Sequence, residues 1–180
     1  MRTNLAVQIG AKPDSGFDDP IGMLVDCHRR VEGFLGILCA VVERAKNREL
    51  TDEEKSAVQS ALQYFQLGGQ RHTADEEESL FPRLRGKPNP AIDAIAGLQS
   101  DHRRANRLHD SIERIYLTWI SSGRLTPEET ERLLSQTGEL KELYSAHISM
   151  EETVVFPYAA KVLDGEVIAK IAAEFKMRRK

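Results

Sequence analysis

The chain has 180 residues, with 25 Lys and Arg against 28 Asp and Glu and a formal net charge of −3. That is one domain's length, enough to bury a core without disulfides, and the balance lacks the basic excess of a nucleic-acid binder. Charged residues at 29% and apolar ones at 41% exclude a disordered or membrane-spanning chain.

In chain order, residues 1–17 carry Gly10, Pro13 and Gly16 without periodicity and read as a flexible leader with no signal-peptide core. Residues 18–163 hold four long helical patterns. Asp19-Pro20 pairs an N-cap with proline at the first helical position, and Thr51-Asp52-Glu53-Glu54 is a capping box. Pro90 opens the third pattern, and Thr126-Pro127-Glu128-Glu129 combines both start signals for the fourth. Stops are expected at Asn47, at Phe81-Pro82 ahead of the Gly86–Pro90 stretch, at Ser121-Ser122-Gly123 and at Phe156-Pro157.

Within each pattern, inward positions recur at steps of three and four. The stripes run from Leu24 through His28 and Leu35 to Val42, and from Val58 through Leu62 and His72 to Glu76. The others run from Ile95 through His102 and Ile112 to Trp119, and from Leu133 through Leu140 and His147 to Val154. Short connections make neighbours antiparallel, so the expected fold is all-α, an up-down-up-down four-helix bundle. Residues 164–180 add a short C-terminal helix on Ile168, Ile171, Ala172 and Phe175, with Lys176–Lys180 as a solvated basic tip. The apolar run Phe34 to Val42 is nine residues, about half a membrane span. Cys27 and Cys39 lie on one helix ~18 Å apart, too far to pair. Two reduced thiols and a cytoplasmic location are expected.

His28, His72, Glu76, His102, His147 and Glu151 occupy seam positions where Leu or Val belongs. Buried without partners, such groups cost a few kcal/mol each. Counted from the helix ends, the four imidazoles fall within roughly 6 Å of one level. Glu76 and Glu151 stack one turn below His72 and His147. The spacing repeats: His28 to His72 is 44 residues and His102 to His147 is 45. Each half opens on His-Arg-Arg, at His28 and at His102, and closes on His-x-x-x-Glu-Glu followed by Phe-Pro. Two similar halves imply a pseudo-twofold site and two equivalent metals, and the mixed imidazole and carboxylate donors suit iron, manganese or zinc. If the two glutamates bridge and each metal takes two imidazoles, each has four protein ligands. An oxo or hydroxo bridge makes five and leaves an octahedral iron one open position.

At these residues the sequence resembles the hemerythrin-like (HHE cation-binding) family over roughly residues 20–160. The resemblance implies a di-iron centre ligated by His28, His72, Glu76, His102, His147 and Glu151, with both glutamates bridging. It also implies reversible interaction with O2 or NO in sensing, scavenging or iron handling. The chain departs from the oxygen-carrying hemerythrins: Asn106 stands where they bring a second histidine on the third helix, and a His-x3-Glu pair replaces their His-x4-Asp. It is closer to the symmetric members, which include the repair proteins for iron centres. An enzyme of oxidative or nitrosative stress is the competing reading, and a metal-independent helical signalling module is another. The Glu-x-x-His pattern of ferritin-like bundles is absent from the sequence.

Around the ligand set, His109 faces the core two turns above and is expected to bond Tyr144 or a backbone carbonyl. Glu32 is expected to be solvated or a polar partner of the site, as are Glu77 and Glu152. Gly68-Gly69 either leaves an access pocket beside one metal or allows close helix packing. Cys27 is read as a packed thiol, and Arg29-Arg30 and Arg103-Arg104 as wet helix faces.

Overall fold

The Asp19 carboxylate accepts from the Gly22 amide at 2.9 Å and Pro20 follows it, so α1 (Pro20–Ala45) begins at its cap and proline signal. The computed structural model describes residues 14–46, 48–85 and 90–180. The long helix α2 (52–84) runs through Asp52–Tyr64, a π-turn at Phe65–Gly69, Gln70–Ala74, a second π-turn at Asp75–Leu80, and Phe81–Leu84. Helix α3 is Pro90–Ser122. Helix α4 (127–162) joins Pro127–Met150, a π-turn at Glu151–Val155 and Phe156–Val162, and α5 is Gly165–Met177. Both expected capping boxes form, Thr51 with Glu54 and Thr126 with Glu129, each satisfying two amides at a helix start. Helix α3 ends at Gly123, whose φ of 78° suits glycine.

Helices α1 to α4 pack in sequence, and α4 closes the ring against α1. The described residues are helical with no strand, and no helix among them is long and apolar enough to cross a membrane. Two apolar clusters fill the interior. One gathers Leu35, Leu38, Ile112, Tyr116, Trp119 and Leu140. The other gathers Leu24, Leu80, Phe81, Ile95, Phe156 and Phe175.

Three expectations are corrected. Helices α2 and α4 do not stop at Phe81-Pro82 and Phe156-Pro157 but continue to Leu84 and Val162. A proline within a helix lacks its N–H and its ring meets the carbonyl four residues back. The π-turns immediately before both prolines widen the helix there, so the axis passes through. The same turn shifts the inward face by one position: Val155 is fully buried and Val154 only half-buried, the reverse of the 3.6-residue reading.

The third correction concerns the basic tip. Helix α5 buries Ile171 and Phe175 against α1 and the second π-turn of α2. Beyond it, Arg178 and Arg179 are not solvated but donate to the two oxygens of Asp75, at 2.8 and 2.6 Å. Asp75 is fully buried, and a carboxylate taken out of water needs such partners. Residues 1–13 of the leader, Asn47 and 86–89 lie outside the described residues. Ser15 donates its amide to Asp26 at 2.6 Å, and Asp14 pairs with Arg30.

Candidate metal centre

Between the two apolar clusters lies a polar layer. Helix α1 brings His28, α2 brings His72 and Glu76, α3 brings His102, and α4 brings His147 and Glu151, none more than 6% exposed. The structure gathers all six sequence-predicted residues into one volume. His72 Nε2 lies 3.2 Å from Glu76 Oε1, and His102 Nε2 lies 3.3 Å from Glu76 Oε2. His28 Nε2 and His147 Nε2 lie 3.0 and 3.4 Å from Glu151 Oε2. Two groups result, His28, His72, Glu76 and Glu151, and Glu76, His102, His147 and Glu151, each with its ligand atoms within 4.8 Å of one another. Both glutamates belong to both groups.

The directions of these atoms matter as much as their spacing. Despite the short separations, His28 Nε2 and all four oxygens of Glu76 and Glu151 lack a hydrogen bond of acceptable geometry. Buried polar atoms are nearly always paired. Here they aim at shared points between them, as ligands of a cation do, and the donor set fits a metal bound by nitrogen and oxygen.

The far sides of the imidazoles are held too. Glu152, from α4, sits 2.9 Å from His28 Nδ1, and Glu77, from α2, sits 2.7 Å from His102 Nδ1. Asp101, from α3, lies 3.4 Å from His147 Nδ1. Such contacts fix ring orientation and raise the basicity of the ligating nitrogen. The doubled Glu-Glu of each half therefore has two jobs: the first glutamate faces the layer and the second crosses to the neighbouring helix. Phe156 stacks on His28 at 5.5 Å, and Phe81 lies parallel to His102 at 6.4 Å. The repeated Phe-Pro signalled this, although it reads locally as a helix stop. Asp101 carried no repeated signal, because its counterpart one residue before His28 is Cys27.

Burial opposes charge on His28, but Glu151 and Glu76 beside it outweigh that and push it up to about 10. His102 is raised to about 9 against its own burial, chiefly by Glu76. His147 is also raised, Glu151 overcoming burial, whereas burial lowers His72. Glu76 is held well below the carboxylate range because the surrounding imidazoles prevail over desolvation. Without a cation, protons on the imidazoles balance the two carboxylates.

A profile of the hemerythrin HHE cation-binding domain matches residues 19–159. The chain belongs to the hemerythrin HHE cation-binding family. An uncharacterized protein of Haemophilus influenzae is 23% identical over 165 residues, covering 91% of each chain. The six converging side chains lie within the matched segment, so the family's cation-binding character and the two His/Glu groups coincide.

The periphery of this HHE layer is now placed. His109 Nε2 and Tyr144 Oη share a hydrogen bond of 2.9 Å, and burial lowers His109 to about 4. Glu32 and Asn106 are exposed and stand outside the layer. Neither glycine meets a neighbouring helix. A Cβ on Gly68 would come within 2.7 Å of the Tyr64 ring, four residues back on the same helix, so that position makes room for Tyr64. Gly69 lines a small cavity of about 10 Å³ together with the four imidazoles, Val31, Tyr144 and Ile148. Cys27 and Cys39 are free thiols, and burial pushes Cys27 up. Arg29 is wet, but Arg30 is half-buried beside the Cys27 sulfur and Asp14.

Proposed function

We propose that this chain is a non-haem di-iron protein that binds O2 or NO at a carboxylate-bridged site, in sensing, scavenging or iron handling. One observation carries the reading: Glu76 and Glu151 are shared by two four-residue groups, one completed by His28 and His72 and the other by His102 and His147. Each group offers two imidazole nitrogens and two carboxylate oxygens, a set that suits iron and also accepts manganese or zinc. Bound there, iron would supply a redox-active Lewis acid with room for an added ligand.

The chain's own residues do the rest. Glu76 and Glu151 offset cationic charge in a layer walled by apolar clusters on both sides. Phe81 and Phe156 flank the imidazoles, and the second acidic residue of each half orients the ring opposite. The cavity beside Gly69, at about 10 Å³, has the room of about one water-sized molecule. Tyr144, tethered by His109, forms another of its walls. A metal-free phosphotransfer module is disfavoured, since it needs an exposed imidazole and the four seam histidines are 1–6% exposed.

Elemental analysis and anaerobic titration of the reduced protein test the reading. Two irons per chain and a reversible spectral change with O2 or NO support it. Prompt oxidation with turnover redirects it to a stress enzyme, and a purified chain that takes up no metal ends it.

A further inference from the structure

The two halves of the polar layer are not equivalent. Three of the four imidazoles have a carboxylate on Nδ1: Glu152 on His28, Glu77 on His102 and Asp101 on His147. His72 Nδ1 is buried and has no hydrogen-bond partner. The repeat explains the gap. Asp101 precedes His102 and reaches across to the histidine of the next helix. The matching position before His28 is Cys27, whose sulfur accepts from Arg30 at 3.5 Å. A thiol is a weak acceptor and supplies no counter-charge.

Cover is uneven as well. Tyr144 stands one turn before His147, with ring centroids 6.5 Å apart, whereas Gly69 takes the corresponding place before His72. On the α1–α2 face a cavity of about 470 Å³ is lined by Cys27, Arg30, Tyr64, Gly68 and Arg71. Two of these are the sequence neighbours of His28 and His72. The α3–α4 half-site thus has two outer carboxylates, and the α1–α2 half-site has one and lies beside this cavity.

We propose that the His28–His72 half-site gives up its cation first, and that Cys27 and Asp101 are the positioning residues that set the difference. This rests on the two-ion reading above. Loss of an outer carboxylate weakens a metal site by about 10–100-fold, so release from the two half-sites separates by a similar factor.

The test loads the full chain with Fe(II) under argon and follows extraction by excess ferrozine. Wild type is expected to release its two ions in two steps with rates about 10–100-fold apart. Asp101→Asn accelerates the slow step toward the fast one, and Cys27→Asp slows the fast step toward the slow one. Asp101 is on the exposed side of its contact, so its variant keeps the test alive should an aspartate at the buried position 27 impair folding. A single-step release of both ions from wild type, or a slow step indifferent to Asp101→Asn, overturns the inference while the two-ion centre stands. A chain that binds no Fe(II) overturns both.

Discussion

His102 Nε2 and His147 Nε2 lie 3.1 Å apart in a hydrogen bond, so one of them carries a proton exactly where a cation needs a lone pair. That proton, held by His102, which is raised to about 9, must leave when an ion enters, as must the one on His28, raised to about 10. Metal uptake at pH 7 is therefore expected to release protons, about one to two per ion, and apparent affinity rises with pH until the imidazoles lose their protons unaided. Calorimetry in buffers of different protonation enthalpy measures this directly. Buffer-independent heats would contradict it.

Because Glu76 and Glu151 each face both histidine pairs, their loss has a wider effect than loss of one imidazole. Glu76→Gln and Glu151→Gln are each expected to weaken both ions, whereas His72→Ala chiefly affects one. Iron per chain after gel filtration separates these outcomes. A glutamine variant that keeps one ion at wild-type affinity would show that its carboxylate does not bridge.

Asp75 depends on Arg178 and Arg179 for its compensation. Replacing both arginines with alanine leaves a buried uncompensated carboxylate, at a cost of about 3–5 kcal/mol. Asp75→Asn, which removes the charge itself, is expected to cost less than that double substitution. Urea unfolding of the three metal-free proteins gives the ranking.

His109 sets an acid limit. Its folded value is about 4 against an ordinary 6.5, so between those pH values the unfolded chain takes up the proton and the folded chain does not. Stability is thus fully present above pH 6.5 and falls as pH drops toward 4, by on the order of 3 kcal/mol. Below that the folded protein is protonated as well and the loss levels off. His109→Gln loses packing against Phe65 but removes this contribution to the slope, which a comparison of unfolding midpoints across the range would reveal.

The fold was legible because its signals are local. The Asp19, Thr51 and Thr126 caps each depend on residues within one turn, and the seam stripes follow a fixed period. The six converging side chains were legible as polar breaks in those stripes, repeated at nearly equal spacing. Three features required the third dimension. The π-turns at Asp75–Leu80 and Glu151–Val155 carry a helix through proline, which local propensity forbids. The pairings of Arg178 and Arg179 with Asp75 span 103 and 104 residues, and that of Glu152 with His28 spans 124. Asp101 matched no repeat partner, and only the fold brings it beside His147.

The crossing of ligands between the halves also bears on the symmetry of the chain. The α1–α2 hairpin supplies three members of its own four-residue group and lends Glu76 to the other, and the α3–α4 hairpin reciprocates with Glu151. Two copies of a single such hairpin, associating head to head, would close the same cage without any covalent link. The present polypeptide holds both hairpins of that arrangement in one chain, and they differ at Cys27 and Asp101.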